Sequence, residues 1–137
     1  MLRLLAILFV IAIFIPVEFY VMAGSVRIEP YRVVLGVALV YALLNFKMVL
    51  ERADLVDILL VGLLGFAFAS IWNNHDLQQA VESTGSYAIE TLGAFYLARM
   101  YLNTPENFFQ INRLFVLILA GLTLFSAYEA FAQHRFL

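Results

Sequence analysis

The sequence predicts an all-α, polytopic helical membrane protein with about five transmembrane helices, and three observations carry that prediction. Of 137 residues, 64% are hydrophobic and only 13% are charged, where soluble domains carry roughly 45–50% apolar and about 25% charged residues. Apolar runs recur at close to the length a bilayer requires, about 20 residues each, and five of them take up most of the chain. No alternating apolar–polar pattern recurs, which argues against a transmembrane barrel. The length suits a single domain, 1–137. Ten Asp+Glu against eight Lys+Arg leave a net charge of −2, so no basic field exists to hold nucleic acid. There is no Cys, which excludes disulfides, thiolate catalysis and cysteine metal sites.

The first run covers 4–22 and is interrupted by Pro16 and Glu18. It has two readings. One is a membrane helix loosened at its end by Pro16. The other is a signal peptide, with Arg3 as the charged end, 4–15 as the apolar core and Val21-Met22-Ala23 as the cleavage site. A polar hinge over 24–32 follows, closed by Pro30, and then a second span over 31–46. Lys47, Glu51, Arg52 and Asp54 mark a loop before the third span, 55–72, which holds Asp57 in its first turn and Trp72 as an interface anchor. The stretch 73–82 is the most polar of the chain and reads as a loop. The fourth span, 83–102, contains Glu90 and Arg99. Asn103-Thr104-Pro105-Glu106 is a helix start: Thr104 suits the N-cap, Pro105 the first helical position and Glu106 the first turn. It leads into the fifth span, 108–131.

Orientation follows from the basic residues. With the N-terminus inside, the inner segments carry Arg3, Lys47, Arg52, Arg99 and Arg113, and the outer ones Arg27, Arg32 and Arg135. The 73–82 stretch has no Lys or Arg and is assigned outside. The chain is thus placed with its N-terminus cytoplasmic and its C-terminus outside.

Charged groups at membrane depth cost a few kcal/mol and need a partner, a water path or a function. Glu90, near the middle of the fourth span, is the first candidate functional residue. Arg99 lies nine positions on, about 180° around a helix, so the two cannot pair within one helix and Glu90 must look to another helix, to water or to its own protonation. Arg99 is the second candidate. Its bland reading is a long stem reaching to the head groups, and its functional reading is contact with a lipid phosphate. Glu18, Asp57, Arg113 and Glu129 read first as ends of spans. His75-Asp76 is no metal spacing, and a site joining that pair to His134 would need distant segments to meet. Small residues mark packing seams: a Gly65-xxx-Ala69 step, and Ser86, Glu90, Ala94 and Ala98 at four-residue spacing. There is no nucleophile elbow, phosphate-binding loop or dinucleotide fingerprint, and no cofactor is called for.

Several segments together resemble a known family. They are Glu90-Thr-Leu-Gly93-Ala-Phe-Tyr96-Leu-Ala-Arg99, then Asn103-Thr-Pro-Glu-Asn-Phe, an apolar span, and Tyr128-Glu129-Ala-Phe-Ala-Gln-His-Arg135. Upstream stand Arg27-Ile-Glu-Pro30-Tyr31-Arg32 and Leu55-Val-Asp57-Ile-Leu. This pattern resembles the N-terminal part of bacterial O-antigen ligase and O-antigen polymerase-like membrane proteins. The resemblance implies an inner-membrane glycosyltransferase of about a dozen helices that acts on glycans carried by undecaprenyl pyrophosphate, with no metal or nucleotide. The family's catalytic histidine and arginines lie in an outer loop downstream of the spans seen here, so none maps onto this chain, and His134 and Arg135 are not those residues. Ending outside, six residues after its fifth span, the chain reads as a fragment or a non-catalytic homologue. A different class of function is a small membrane interaction protein that binds or inhibits a larger membrane partner. A proton or ion path would rest on Glu90 alone.

Overall fold

A computed structural model describes residues 1–16, 18–23, 26–51 and 53–132. Among the described residues the chain is all-α apart from one small hairpin. Its elements in order are α1 (Leu2–Ile13), β1 (Val21–Ala23), β2 (Val26–Ile28), α2 (Pro30–Leu44), α3 (Phe46–Leu50), α4 (Leu55–Asn74), α5 (Leu77–Tyr101) and α6 (Pro105–Ala132). Five of the helices are long and one is short. Two are both long and apolar enough to cross a membrane, Leu55–Asn74 and Pro105–Phe131.

The first helix ends far short of the expected 4–22. It stops at Ile13 because Pro16 removes a backbone donor and bars the residue before it from helical geometry. Beyond it, Phe14 and Ile15 close with turn hydrogen bonds to Ile11 and Ala12. Of the expected hinge over 24–32, residues 26–28 are strand β2, paired antiparallel with β1 (Val21 with Ile28, Met22 with Arg27), and residues 30–32 already belong to α2. Residues 24 and 25 lie outside the described residues. A Gly-Ser pair between two short runs of strand-forming residues is a hairpin signal in its own right.

Pro30 opens α2 at its first position, where a missing N–H costs nothing. Asn45 closes it, turning its side-chain amide onto the Tyr41 carbonyl at 2.8 Å. The short α3 then fills part of the expected 47–54 loop. α4 agrees closely with the expected third span. The polar 73–82 stretch is not a loop. Asp76 caps a new helix by accepting from the Gln79 N–H at 2.8 Å, so α5 starts six residues before the expected fourth span, and only His75-Asp76 joins α4 to α5. α6 starts at Pro105, with the Thr104 hydroxyl 3.4 Å from the Asn107 N–H.

α1, α2 and α5 form the core. Leu5, Ala6, Leu35, Ala38, Leu97 and Tyr101 are buried together, and Ala42, Val49 and Met100 make a second cluster between the end of α2, α3 and α5. α2 and α5 approach closely at Gly93, where an added Cβ would lie 2.8 Å from the Leu35 carbonyl oxygen. Small residues let helix axes close to this distance. The Gly65-xxx-Ala69 step is not such a seam: a Cβ on Gly65 would meet nothing within 4 Å.

Candidate functional site

Two ionic clusters join these helices, and each holds one of the two candidate residues. The lower one is built at the start of α4. Asp54 is the N-cap and accepts from the Val56 N–H at 3.0 Å, while its own N–H donates to Asp57 Oδ2 at 2.8 Å. This reciprocal capping box satisfies two backbone donors that a helix start otherwise leaves free. It also fixes both carboxylates toward α5. The Arg99 guanidinium enters between them: Nη1 donates to both Asp57 oxygens, 2.7 Å from Oδ1, and Nη2 lies 2.9 Å from Asp54 Oδ2. Phe95, one turn earlier, lies under the guanidinium at 5.2 Å. Arg99 therefore does not extend to the surface as a lone stem. Asp57, expected to mark the end of a span, is the one residue of α4 that is buried, at 8% exposure.

The upper cluster joins the start of α2 to the middle of α5. Glu90 Oε1 accepts from Arg32 Nε at 2.6 Å and from the Tyr31 hydroxyl at 3.0 Å. Arg32 Nη1 also donates to the Arg27 carbonyl at 2.7 Å, which ties the hairpin to the helix that follows it. Glu29 lies 3.5 Å from Arg27 and 4.0 Å from Arg32, and the Arg27 guanidinium sits 3.9 Å over the Tyr20 ring. Glu90 and Arg99 do not meet.

The level of the upper cluster follows from helix geometry. α4 and α5 run antiparallel, since two residues join them, and the Asp57–Arg99 bridge sets their register. Nine residues along α5 from Arg99 is Glu90, and nine along α4 from Asp57 is Phe66, about 14 Å from the bridge at 1.5 Å per residue. Glu90 thus lies level with the middle of α4. Among the described residues the upper cluster holds two guanidiniums and two carboxylates and sums to zero. The lower one, with two carboxylates and one guanidinium, sums to −1 beside the positive end of a helix dipole.

Arg32, Tyr31, Glu29 and Arg27 are the members that sequence reasoning passed over as site residues. Their signal was a cluster of charges immediately before a Pro-initiated helix. His75 is the C-cap of α4, its N–H donating to the Ile71 carbonyl at 2.8 Å. His134, Arg135 and Arg52 lie outside the described residues. Both clusters are networks of ion pairs. They hold helices at fixed height and register. No protein-family model, curated protein or solved structure matches this chain.

Proposed function

We propose that the chain is a multi-pass integral membrane protein of the bacterial inner membrane, with α4, α5 and α6 crossing the bilayer in alternating directions and the N-terminus in the cytoplasm. The observation that supports this most is the inverted character of α4. It exposes Leu55, Ile58, Leu59, Val61, Phe66 and Trp72 and buries its acidic residue. In water that arrangement leaves an apolar patch far beyond what soluble monomers carry. In a bilayer it is the expected one, apolar surface to lipid and charge to protein. The test is extraction: the full chain stays with membranes in alkaline carbonate and leaves them only in detergent. Release by carbonate overturns the reading. Cysteines placed at Asn74 and Glu51 test orientation, since an impermeant thiol reagent added to intact cells should label position 74 and spare position 51.

Within that membrane the chain serves the assembly of surface polysaccharide, as the likeness of its 27–32, 90–99 and 128–135 segments to O-antigen ligases and polymerases suggests. Its part is that of a helical scaffold and not of the transferase itself. Sugar transfer from an undecaprenyl pyrophosphate carrier needs cations to stabilise the leaving phosphate and a base for the acceptor hydroxyl. Arg27 and Arg32 already face Glu29 and Glu90, and His75 ends a different helix. Purified chain therefore transfers no lipid-linked glycan alone. In cells that carry the gene, its deletion shortens or abolishes the surface polysaccharide on a gel; an unchanged ladder overturns the assignment and leaves the membrane reading standing. The other reading, a non-catalytic partner that inhibits a larger membrane protein, is favoured by α6, whose apolar candidate span has none of its length buried by the rest of the chain. Under that reading the same deletion raises polysaccharide output.

A further inference from the structure

We infer that the cleft between α1, α5 and α6 is a binding site for one anionic phospholipid of the cytoplasmic leaflet. It rests on the membrane orientation proposed above. The mouth of the cleft is a cavity of about 260 Å³ whose lining includes Arg3 at the start of α1, Arg113 and Gln110 on α6, and Tyr101 at the end of α5. Leu114 and Leu117 continue its wall along α6. Tyr101 and Ile111 also border a second cavity, of about 100 Å³, lined by apolar side chains that include Phe9, Val10 and Ala94. The two are therefore neighbours, with the charged groups at one end and apolar surface running from there toward the middle of the helices.

That polarity fits one chemical class, a phosphodiester joined to acyl chains. Every other described arginine of the helices, Arg32 and Arg99, is committed to carboxylates on a neighbouring helix. Among the described residues neither Arg3 nor Arg113 has a carboxylate within ion-pair distance. Two guanidiniums from different helices, with an amide and a phenol beside them, supply donors to a single phosphate and no negative charge of their own. The apolar end excludes a free polar anion and takes a chain of methylenes. Arg3 and Arg113 are also among the basic residues that the charge rule places on the cytoplasmic side, where anionic lipid headgroups attract them. The lipid would hold α6 to α1, the one helix it packs against substantially.

Native mass spectrometry of the full chain in mild detergent tests this, with dioleoylphosphatidylglycerol and dioleoylphosphatidylcholine offered at equal concentration. The expected result is retention of one phosphatidylglycerol in clear excess over phosphatidylcholine. Each arginine contributes about fivefold, so the Arg3→Gln/Arg113→Gln double variant brings the two lipids to parity. Arg3→Lys/Arg113→Lys retains most of the preference, and so does Lys47→Gln, which removes a charge from the same end but outside the cleft. Equal retention of both lipids by the unmodified chain overturns the site, as does an undiminished preference in the double Gln variant or an equal loss in Lys47→Gln. Displacement of the lipid by 10 mM inorganic phosphate would show a free-anion site and likewise overturn it. Failure of the membrane reading is separate: it appears as release of the chain by carbonate, whatever lipid it retains.

Discussion

The two ionic clusters solve different problems with the same residue types. The Asp54–Asp57–Arg99 cluster sits at the first turn of α4, where unpaired backbone donors and the helix dipole already favour negative charge, and it carries a surplus carboxylate there. The Arg27–Glu29–Arg32–Glu90 cluster joins the first turn of α2 to the middle of α5, level with the middle of α4, and among the described residues its charges balance. Under the proposed membrane placement that level lies in the hydrocarbon, where balanced charge costs less than a surplus. The clusters also differ in enclosure. The Arg99 and Asp57 side chains are 17% and 11% exposed, those of Arg32 and Glu90 24% and 32%.

The largest expected effect comes from breaking the lower cluster. Arg99→Gln leaves Asp57 buried without its guanidinium partner, and removing one partner of a buried pair costs about 3–5 kcal/mol. Unfolding of the chain in detergent, followed by circular dichroism, should report this as a large drop in midpoint. Adding Asp57→Asn removes the orphaned charge and should restore a substantial part of the loss. A double variant no more stable than Arg99→Gln alone would show that Asp57 is not the residue harmed.

These clusters also mark how much of the molecule is legible in its sequence. α6 stands out because local chemistry starts it, Thr104-Pro105-Glu106, and α4 because its apolar run is long and continuous; the Asp54 cap at its start falls in what reads as a loop. Hydropathy carried the first helix too far, since a window average takes in Pro16 and Glu18 as two weak positions while the backbone meets a missing N–H. It treated 73–82 as a loop for the converse reason: α5 begins with polar residues because Leu77 to Glu82 is largely exposed, and exposure says nothing against a helix. Periodicity kept Glu90 and Arg99 apart, but it does not name partners. Arg32 is 58 residues before Glu90, and Asp57 is 42 before Arg99. Such pairs depend on which helices pack, and for α2 and α5 the close approach is at Gly93, one glycine among seven.

The next effect sharpens the contrast between the packed and open parts of the molecule. In Gly93→Ala the new methyl group meets the Leu35 carbonyl at 2.8 Å and the Leu35 Cβ at 3.0 Å. Since one of these is backbone on another helix, α2 and α5 must separate, and overpacking of this kind costs about 1–3 kcal/mol. Gly65→Ala meets nothing and exchanges a poor helix former for the best one, so stability should hold or rise by up to about 1 kcal/mol. Equal melting shifts for the two variants would contradict the α2–α5 approach.

Glu90→Gln breaks the upper cluster more gently. Glutamine keeps an acceptor for Arg32 and Tyr31, and Arg32 keeps the Arg27 carbonyl. For a pair this open the expected loss in detergent is about 1 kcal/mol. In a lipid nanodisc the loss should be larger, because Arg32 is then one unbalanced charge at bilayer depth. An equal loss in detergent and in nanodiscs would place the cluster outside the hydrocarbon and would remove depth as the reason for its neutrality.

The smallest effect belongs to the start of α6, where the cap stands alone. Thr104 has no counterpart of the Asp54–Asp57 box: its hydroxyl sits 3.4 Å from the Asn107 N–H, a long contact, and no arginine from another helix joins it. Thr104→Ala should cost about 0.5 kcal/mol, the low end for a lost N-cap. The loss should also stay local. Asn107 is tied to the end of α5 by its own amide, which donates to the Tyr101 carbonyl at 2.9 Å, so the first turn has a second restraint that survives the substitution. Hydrogen exchange should quicken at residues 106–109 and remain unchanged along α5. If protection is lost in α5 as well, the caps at Thr104 and Asp54 are equivalent after all, and the start of α6 is coupled to the core as firmly as the start of α4.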